Sequence, residues 1–244
     1  VLGSTVTEIA EQKTGIINNS STVFTAQQDD EAERVIHETC ERHDTSLQTV
    51  APVIDESTSV PLFQQENFGL AFEVVRYIAE RDGLANVSQE ILKSCIANTP
   101  PGRFETYHVG EKTVILDGAH NPQKLHAFVR SLRLHHPEPI GWLVGFVSAP
   151  EQKVTACLRE IANESDDYIF TDFTVGQDIK GRKSVPAREV ERLMEQATRK
   201  TYDAISEPQE ALNQLLASKK RTVVVTGSLY LVAKLRQSVI DQAT

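Results

Sequence analysis

Asp117, His120 and Asn121 stand within five residues of one another, straight after the apolar run Thr113-Val114-Ile115-Leu116 and straight before Pro122. A carboxylate at such a place can accept hydrogen bonds from sugar hydroxyls, or it can satisfy N–H groups of its own loop. An imidazole titrates near neutral pH, so it can hold an anion or a substrate carboxylate. Arg103 follows Pro101-Gly102; a guanidinium there suits either a phosphate clamp or a surface ion pair. Thr226-Gly227-Ser228 offers a hydroxyl and free N–H groups to a ligand, or a plain helix cap. His135-His136 lack the i,i+4 spacing of a helical metal pair, so no metal role is expected of them.

These residues need elements to hold them. The run 113–116 reads as a buried strand, and Leu125, Phe128, Val129 and Leu132 follow at helical spacing. Asn121 suits the N-cap and Pro122 the first helical position. The polar turn therefore lies at a strand's carboxyl edge, where open α/β sheets bind ligands. Beyond Asn98-Thr99-Pro100-Pro101-Gly102, a break no helix can continue through, strand and helix alternate. Residues 104–109 and 113–116 read as a hairpin. Strands are expected over 140–147, 168–173, 202–205 and 222–226, with helices over 154–161, 187–197, 209–216 and 229–240. That alternation implies a Rossmann-like α/β domain over 101–244 with a mostly parallel, doubly covered sheet.

Residues 1–100 read as mainly helical. Thr5 and Glu8 make a capping box for a helix that carries Lys13 in its last turn, a position favoured for a cation by the helix dipole. Short strands are expected near 21–26 and 49–53, with helices over 29–43, 64–80 and 87–96. In the long helix Leu70, Ala71, Val74, Tyr77 and Ile78 are expected to face inward.

The net charge of −9 and the lack of a basic cluster argue against a nucleic-acid binder. No apolar run approaches the roughly 20 residues that span a bilayer, and the N-terminus has no signal-like pattern. Cys40, Cys95 and Cys157 form no CxxC and read as reduced thiols of a cytoplasmic protein. There is no GxGxxG after the first strand of the second domain and no GxxxxGK[ST] anywhere, which disfavours a nicotinamide-dependent dehydrogenase and leaves no P-loop. The chain does not begin with Met and reads as a piece of a longer protein.

Pro101-Gly102-Arg103-Phe104-Glu105 followed by Leu116-Asp117-Gly118-Ala119-His120-Asn121-Pro122 resembles the folylpolyglutamate synthase / dihydrofolate synthase branch of the Mur ligase superfamily. Leu2-Gly3-Ser4-Thr5 through Ile9-Ala10-Glu11-Gln12-Lys13-Thr14-Gly15-Ile16 resembles a segment of that family's central ATPase domain. Gln64-Gln65-Glu66-Asn67 resembles its His-Gln-x-x-Asn stretch, with Phe63 at the His position. The resemblance implies that 1–100 is the end of a P-loop-type central domain and 101–244 the third domain. It implies that Lys13, carbamylated, helps to hold Mg2+, that Asn67 meets adenine and Arg103 the ATP phosphates, and that Asp117 lies near the ribose. His120 would lie near the incoming glutamate and the phosphates, and Ser228 would meet substrate. Where the family has Asp-Lys-Asp after the strand 140–147, this chain has Ser148-Ala149-Pro150-Glu151, and the stretch 49–61 is short.

The activity so implied is an ATP-dependent ligase of cytoplasmic, monomeric kind. It would join L-glutamate to a folate or dihydropteroate carboxylate through an acyl phosphate, with residues 1–244 inactive alone. The alternatives are a peptidoglycan-precursor ligase and a degenerate, non-catalytic Rossmann-like binding module.

Overall fold

Parallel strands organise both parts of the chain in its computed structural model, which describes residues 3, 5–52, 58, 60–85, 88, 100–165, 167–175 and 183–243. The helix expected over 87–96, Ser88 apart, lies outside those residues, as does Cys95. The chain divides into two compact units, Val1–Asn98 and Thr99–Thr244.

The first unit runs α1 (Val6–Thr14), β1 (Thr22–Ala26), α2 (Asp30–Arg42), β2 (Ser46–Val50) and α3 (Leu62–Arg81). The Thr5–Glu8 capping box forms with both its hydrogen bonds. β1 and β2 pair in parallel, Thr22 opposite Ser46 through Ala26 opposite Val50. β2 therefore begins three residues before the expected strand. Its first residues, Ser46, Leu47 and Gln48, are polar or isolated apolar, so hydrophobic pattern reveals only its end. In α3 the buried positions are Leu62, Gln65, Gly69 and Ala79, while Ala71 and Ile78 (37% accessible) are exposed. Apolar residues surround most of this helix, so spacing alone cannot choose its inner face. The choice is made by Tyr77, whose hydroxyl hydrogen-bonds the Thr22 hydroxyl at 2.8 Å and whose ring packs 5.4 Å from that of Phe24.

The second unit runs β3 (Glu105–Val109), β4 (Lys112–Leu116), α4 (Pro122–His135), β5 (Ile140–Val144), α5 (Glu151–Ile161), β6 (Asp167–Phe170), α6 (Ala187–Thr198), β7 (Asp203–Ala204), α7 (Pro208–Ala217), β8 (Thr222–Thr226) and α8 (Leu229–Gln242). Its sheet has the order β3-β4-β8-β5-β6-β7, parallel except for the β3–β4 hairpin. Strands β4, β5 and β8 are buried on both faces, as near-continuous Val, Ile and Leu runs require. Side chains alternate between two cores. Val114, Leu116, Leu143, Ile169, Val223 and Val225 pack with α7 and α8. Trp142 points to the opposite side, edge-on to Phe128 of α4 at 6.2 Å and stacked at 6.0 Å on Tyr168.

β5 ends at Val144 rather than at residue 147; Gly145 N–H still donates to Thr226 O at 3.2 Å, and Val147 forms an isolated bridge with Ser184. Since β8 lies between β4 and β5, and since α8 covers the face opposite to α4, the carboxyl edge opens a crevice at these three strands.

Candidate functional site

The β4 turn is stitched in place by backbone bonds. Asp117 N–H donates to Val225 O at 3.0 Å, Gly118 N–H to Gly102 O at 2.9 Å, and Gly227 N–H to Ala119 O at 3.0 Å. Asp117 itself is 3% accessible. Its Oδ2 accepts from Phe104 N–H at 2.9 Å and its Oδ1 from Ala119 N–H at 2.7 Å. The loop-bracing role read from the sequence is present: both oxygens accept from backbone N–H groups in a buried place. Burial pushes its pKa up from 3.8 to about 6, against the pull of the two N–H groups and of Arg103 and Lys124.

The Asp117 brace holds an unusual turn. Phe104 has φ of +54°, a left-handed conformation rare for a bulky residue. Its ring is buried 5.5 Å from Phe128, and its N–H is the one bound by Asp117. Glu105 holds the other side of the turn. It accepts from Gly102 N–H at 2.7 Å, from the Tyr107 hydroxyl at 3.0 Å, and from the Arg236 guanidinium at 2.9–3.1 Å through two nitrogens. Burial alone raises the Glu105 pKa, but Arg236, Gly102 and Tyr107 together hold it below its ordinary value. Between these braces stands Arg103, partly buried, with Nη1 donating to Gly102 O at 3.2 Å. Arg236→Ala is expected to destabilise this unit, because Glu105 loses its forked partner. The check is a lower urea midpoint in the fluorescence of Trp142, the chain's single tryptophan and fully buried in this unit.

His120 Nδ1 lies 2.7 Å from Gly118 O, so this nitrogen carries the hydrogen and Nε2 is the acceptor of the neutral ring. Burial lowers the His120 pKa; the Gly118 carbonyl opposes this, and the charges of Lys124, Lys153 and Arg103 lower it further. The residue is thus a neutral imidazole at pH 7. The surrounding cations and the loss of water disfavour a further positive charge on this ring.

At the carboxyl edge His120 lines a cavity of 320 Å³ with Phe146, Val147, Lys153, Ser228 and Tyr230, near the lower end of the roughly 300–1,000 Å³ typical of small-molecule sites. Ser228 caps α8, its Oγ accepting from Tyr230 N–H at 3.1 Å. The cap uses a lone pair and leaves the hydroxyl hydrogen to donate. Cap and cavity-lining roles therefore coexist in one residue. Cys157 also lines this cavity, and burial pushes its thiol up to about 11, so it is no nucleophile at neutral pH.

Arg103, Asp117, His120 and Ser228 all belong to the second unit, and His120 and Ser228 meet in one cavity. Lys13 and Asn67 belong to the first unit, both exposed, at the last turn of α1 and on α3. Among the described residues no group of three or more His, Cys, Asp or Glu is placed to hold a metal ion. Sequence reasoning missed Lys153. A signal was present: it is the third residue of α5, where an ammonium opposes the helix dipole.

Comparison with known proteins places this architecture. The curated dihydrofolate synthase/folylpolyglutamate synthase of Bacillus subtilis is 25% identical over 268 residues, covering 97% of this chain and 59% of that protein. The Mycobacterium tuberculosis folylpolyglutamate synthase complexed with ADP superposes with a TM-score of 0.78 at 17% identity, covering 98% of this chain and 60% of that one. The bifunctional folylpolyglutamate synthase/dihydrofolate synthase of Yersinia pestis, complexed with AMPPNP and Mn ion, gives a TM-score of 0.76 at 17% identity, covering 98% and 58%. At those identities the structural likeness is one of fold. The chain spans less than two thirds of the length of these relatives. Residues 103–238, more than half of the chain, match the family of the dihydrofolate synthetase C-terminal domain, and the chain belongs to that family.

Proposed function

We propose that the full-length protein is an ATP-dependent ligase that joins L-glutamate to the carboxylate of a folate or dihydropteroate through an acyl phosphate. The observation that carries this reading is the cavity at the β4–β8–β5 edge. A neutral imidazole, a hydroxyl and an ammonium line one space there, in a domain of this family. His120 Nε2 takes a proton from the incoming amine, a task that requires the neutral ring. Ser228 donates a hydrogen bond to the substrate, and Arg103 meets phosphate, its turn held by Asp117 and Glu105. Asn67 contacts adenine.

Magnesium is part of the proposal, with Lys13 as a carbamylated ligand. The described residues do not by themselves fit a complete metal site, and no step is derived through the ion. Cytoplasmic action as a monomer belongs to the same reading. Among the described residues no helix is long and apolar enough to cross a membrane.

The test is ADP release by the full-length protein with magnesium and L-glutamate, in the presence of dihydropteroate, a reduced folate or no acceptor. Release that needs both glutamate and a pterin is expected, and the productive acceptor names the substrate. Folded protein that binds ATP but releases no ADP with either acceptor would overturn the ligase in favour of a binding module. Residues 1–244 alone are expected to release none, since they contain no GxxxxGK[ST].

A further inference from the structure

Arg103 stands between two residues in the left-handed region, Gly102 with φ of +71° and Phe104 with φ of +54°. Such a turn stores backbone strain and persists only where its surroundings over-determine it. On the C-terminal side of the arginine, Phe104 N–H is held by Asp117. On the N-terminal side, Gly102 is held at both polar atoms. Its carbonyl accepts from Gly118 N–H at 2.9 Å, and its N–H donates to Glu105 Oε2 at 2.7 Å. The last of these bonds fixes the turn only if the Glu105 carboxylate is itself prevented from rotating.

Arg236 of α8 supplies that restraint. Its Nε donates to both carboxylate oxygens, at 3.1 and 3.0 Å, and its Nη2 donates to Oε1 at 2.9 Å. Tyr107 reaches Oε1 alone, at 3.0 Å. A planar guanidinium bound to both oxygens sets the plane of a carboxylate, which a hydroxyl or an ammonium does not. The same face of α8 also bears on the turn. Leu229, Val232 and Arg236 stand at i, i+3 and i+7, one stripe of the helix. A Cβ on Gly102 would lie 2.8 Å from Leu229 Cδ2 and 3.3 Å from Val232 Cγ1, so two of the three residues press on the turn while the third anchors its acceptor. Arg236 itself does not line the cavity at the carboxyl edge.

We propose that Arg236 is a positioning residue for nucleotide phosphate: through Glu105 it locks the Gly102 peptide and so fixes the direction in which Arg103 presents its guanidinium. This rests on the reading of Arg103 as the phosphate contact of an ATP-dependent ligase. Arg236 touches no substrate, and its effect passes through Arg103.

The experiment is calorimetric titration of the full-length protein, with magnesium, by AMPPNP, an ATP analogue that is not hydrolysed. The variants are Arg236→Met, Arg236→Lys, Arg103→Met, and Arg103→Met combined with Arg236→Met. Urea unfolding followed by Trp142 fixes conditions in which every variant is folded. Arg103→Met should weaken binding by about tenfold or more, the value of one charged hydrogen bond. Arg236→Met should weaken it by about three- to tenfold when Arg103 is present, and by less than about twofold when Arg103 is already methionine, as a residue acting through another must. Arg236→Lys keeps the charge without the fork and should behave like Arg236→Met. Equal weakening with and without Arg103 overturns the proposal and leaves the ligase standing, as does unchanged binding in folded Arg236→Met protein. Full rescue by Arg236→Lys also overturns it, since charge alone would then suffice. Unchanged binding in Arg103→Met protein fails the reading of Arg103, and absence of glutamate-dependent ADP release by the unsubstituted protein fails the ligase reading; the proposal falls with either.

Discussion

Asp117→Ala is expected to destabilise the second unit by about 2–4 kcal/mol at pH 7, with a further loss relative to the unsubstituted protein as the pH falls. Two effects oppose each other. The carboxylate satisfies two N–H groups, those of Phe104 and Ala119, in a place with 3% accessibility. Removing it strands both donors, at about 1–3 kcal/mol each. Against this, the charge itself is costly where it sits. Burial raises the pKa from 3.8 to about 6, so the ionised group is held at a disadvantage that the alanine variant escapes. The stranded donors win, because two hydrogen bonds lost at a buried site outweigh the relief of one charge and Phe104 keeps a left-handed backbone.

The pH dependence tests the cause. A carboxyl whose pKa is raised in the folded state binds more protons there than in the unfolded chain. Its contribution is complete below 3.8 and is lost as the pH rises through about 6. The unsubstituted protein should therefore gain about 1 kcal/mol from this group between pH 7 and pH 5, and the Asp117→Ala variant should not. Urea midpoints from Trp142 fluorescence at the two pH values measure both. A difference between the proteins that shrinks toward pH 5 would show that the carboxylate is stabilised in the fold by its charge, contrary to the burial argument.

How far the sequence disclosed this site depended on whether the controlling contact was local. Asn121 and Pro122 announce the start of α4, and the observed cap, Asn121 Oδ1 to Lys124 N–H at 2.8 Å, lies within four residues. The β8 run Thr222–Thr226 is β-branched throughout and buried at every position, so its boundaries match those read from sequence. The brace between Asp117 and Phe104 spans 13 residues. It exists only because the β3–β4 hairpin returns the chain to its starting edge, which no local pattern specifies. Glu105 and Arg236, 131 residues apart, meet because α8 packs against β3. The segment Pro101–Glu105 was legible as a motif, but its mechanical role as a strained turn held at both ends was not. Ser148–Glu151 was legible as a departure from the family pattern, whereas Lys153 shortly afterwards escaped notice. Periodicity ranks residues by burial and says little about an exposed lysine that lines a cavity.

Gly227→Ala is the second substitution with a large expected effect, about 3–5 kcal/mol of lost stability in the same unit. Gly227 links β8 to α8 with φ of +97°, which strains any residue with a side chain. The crowding adds to that strain. A Cβ there would lie 2.5 Å from Gly145 O and 3.1 Å from Gly145 C, so the backbone of one strand end would have to move off another. Gly145 cannot yield freely, since its N–H is bound to Thr226 O. Gly110→Ala separates the two contributions. Its φ is +58° and nothing lies within 4 Å of the added carbon, so only the conformational cost of about 1 kcal/mol is expected. The displacement at Gly227 would fall on its neighbours in the cavity, Ser228 beside it and His120 across from it, whose preceding residue Ala119 accepts from Gly227 N–H. Full-length Gly227→Ala protein should therefore lose glutamate-dependent ADP release even at temperatures where Trp142 fluorescence shows it folded. Gly110→Ala protein should keep it. Equal losses of stability in the two variants would mean that the close approach of β8 to the Gly145 backbone does not hold this edge of the sheet.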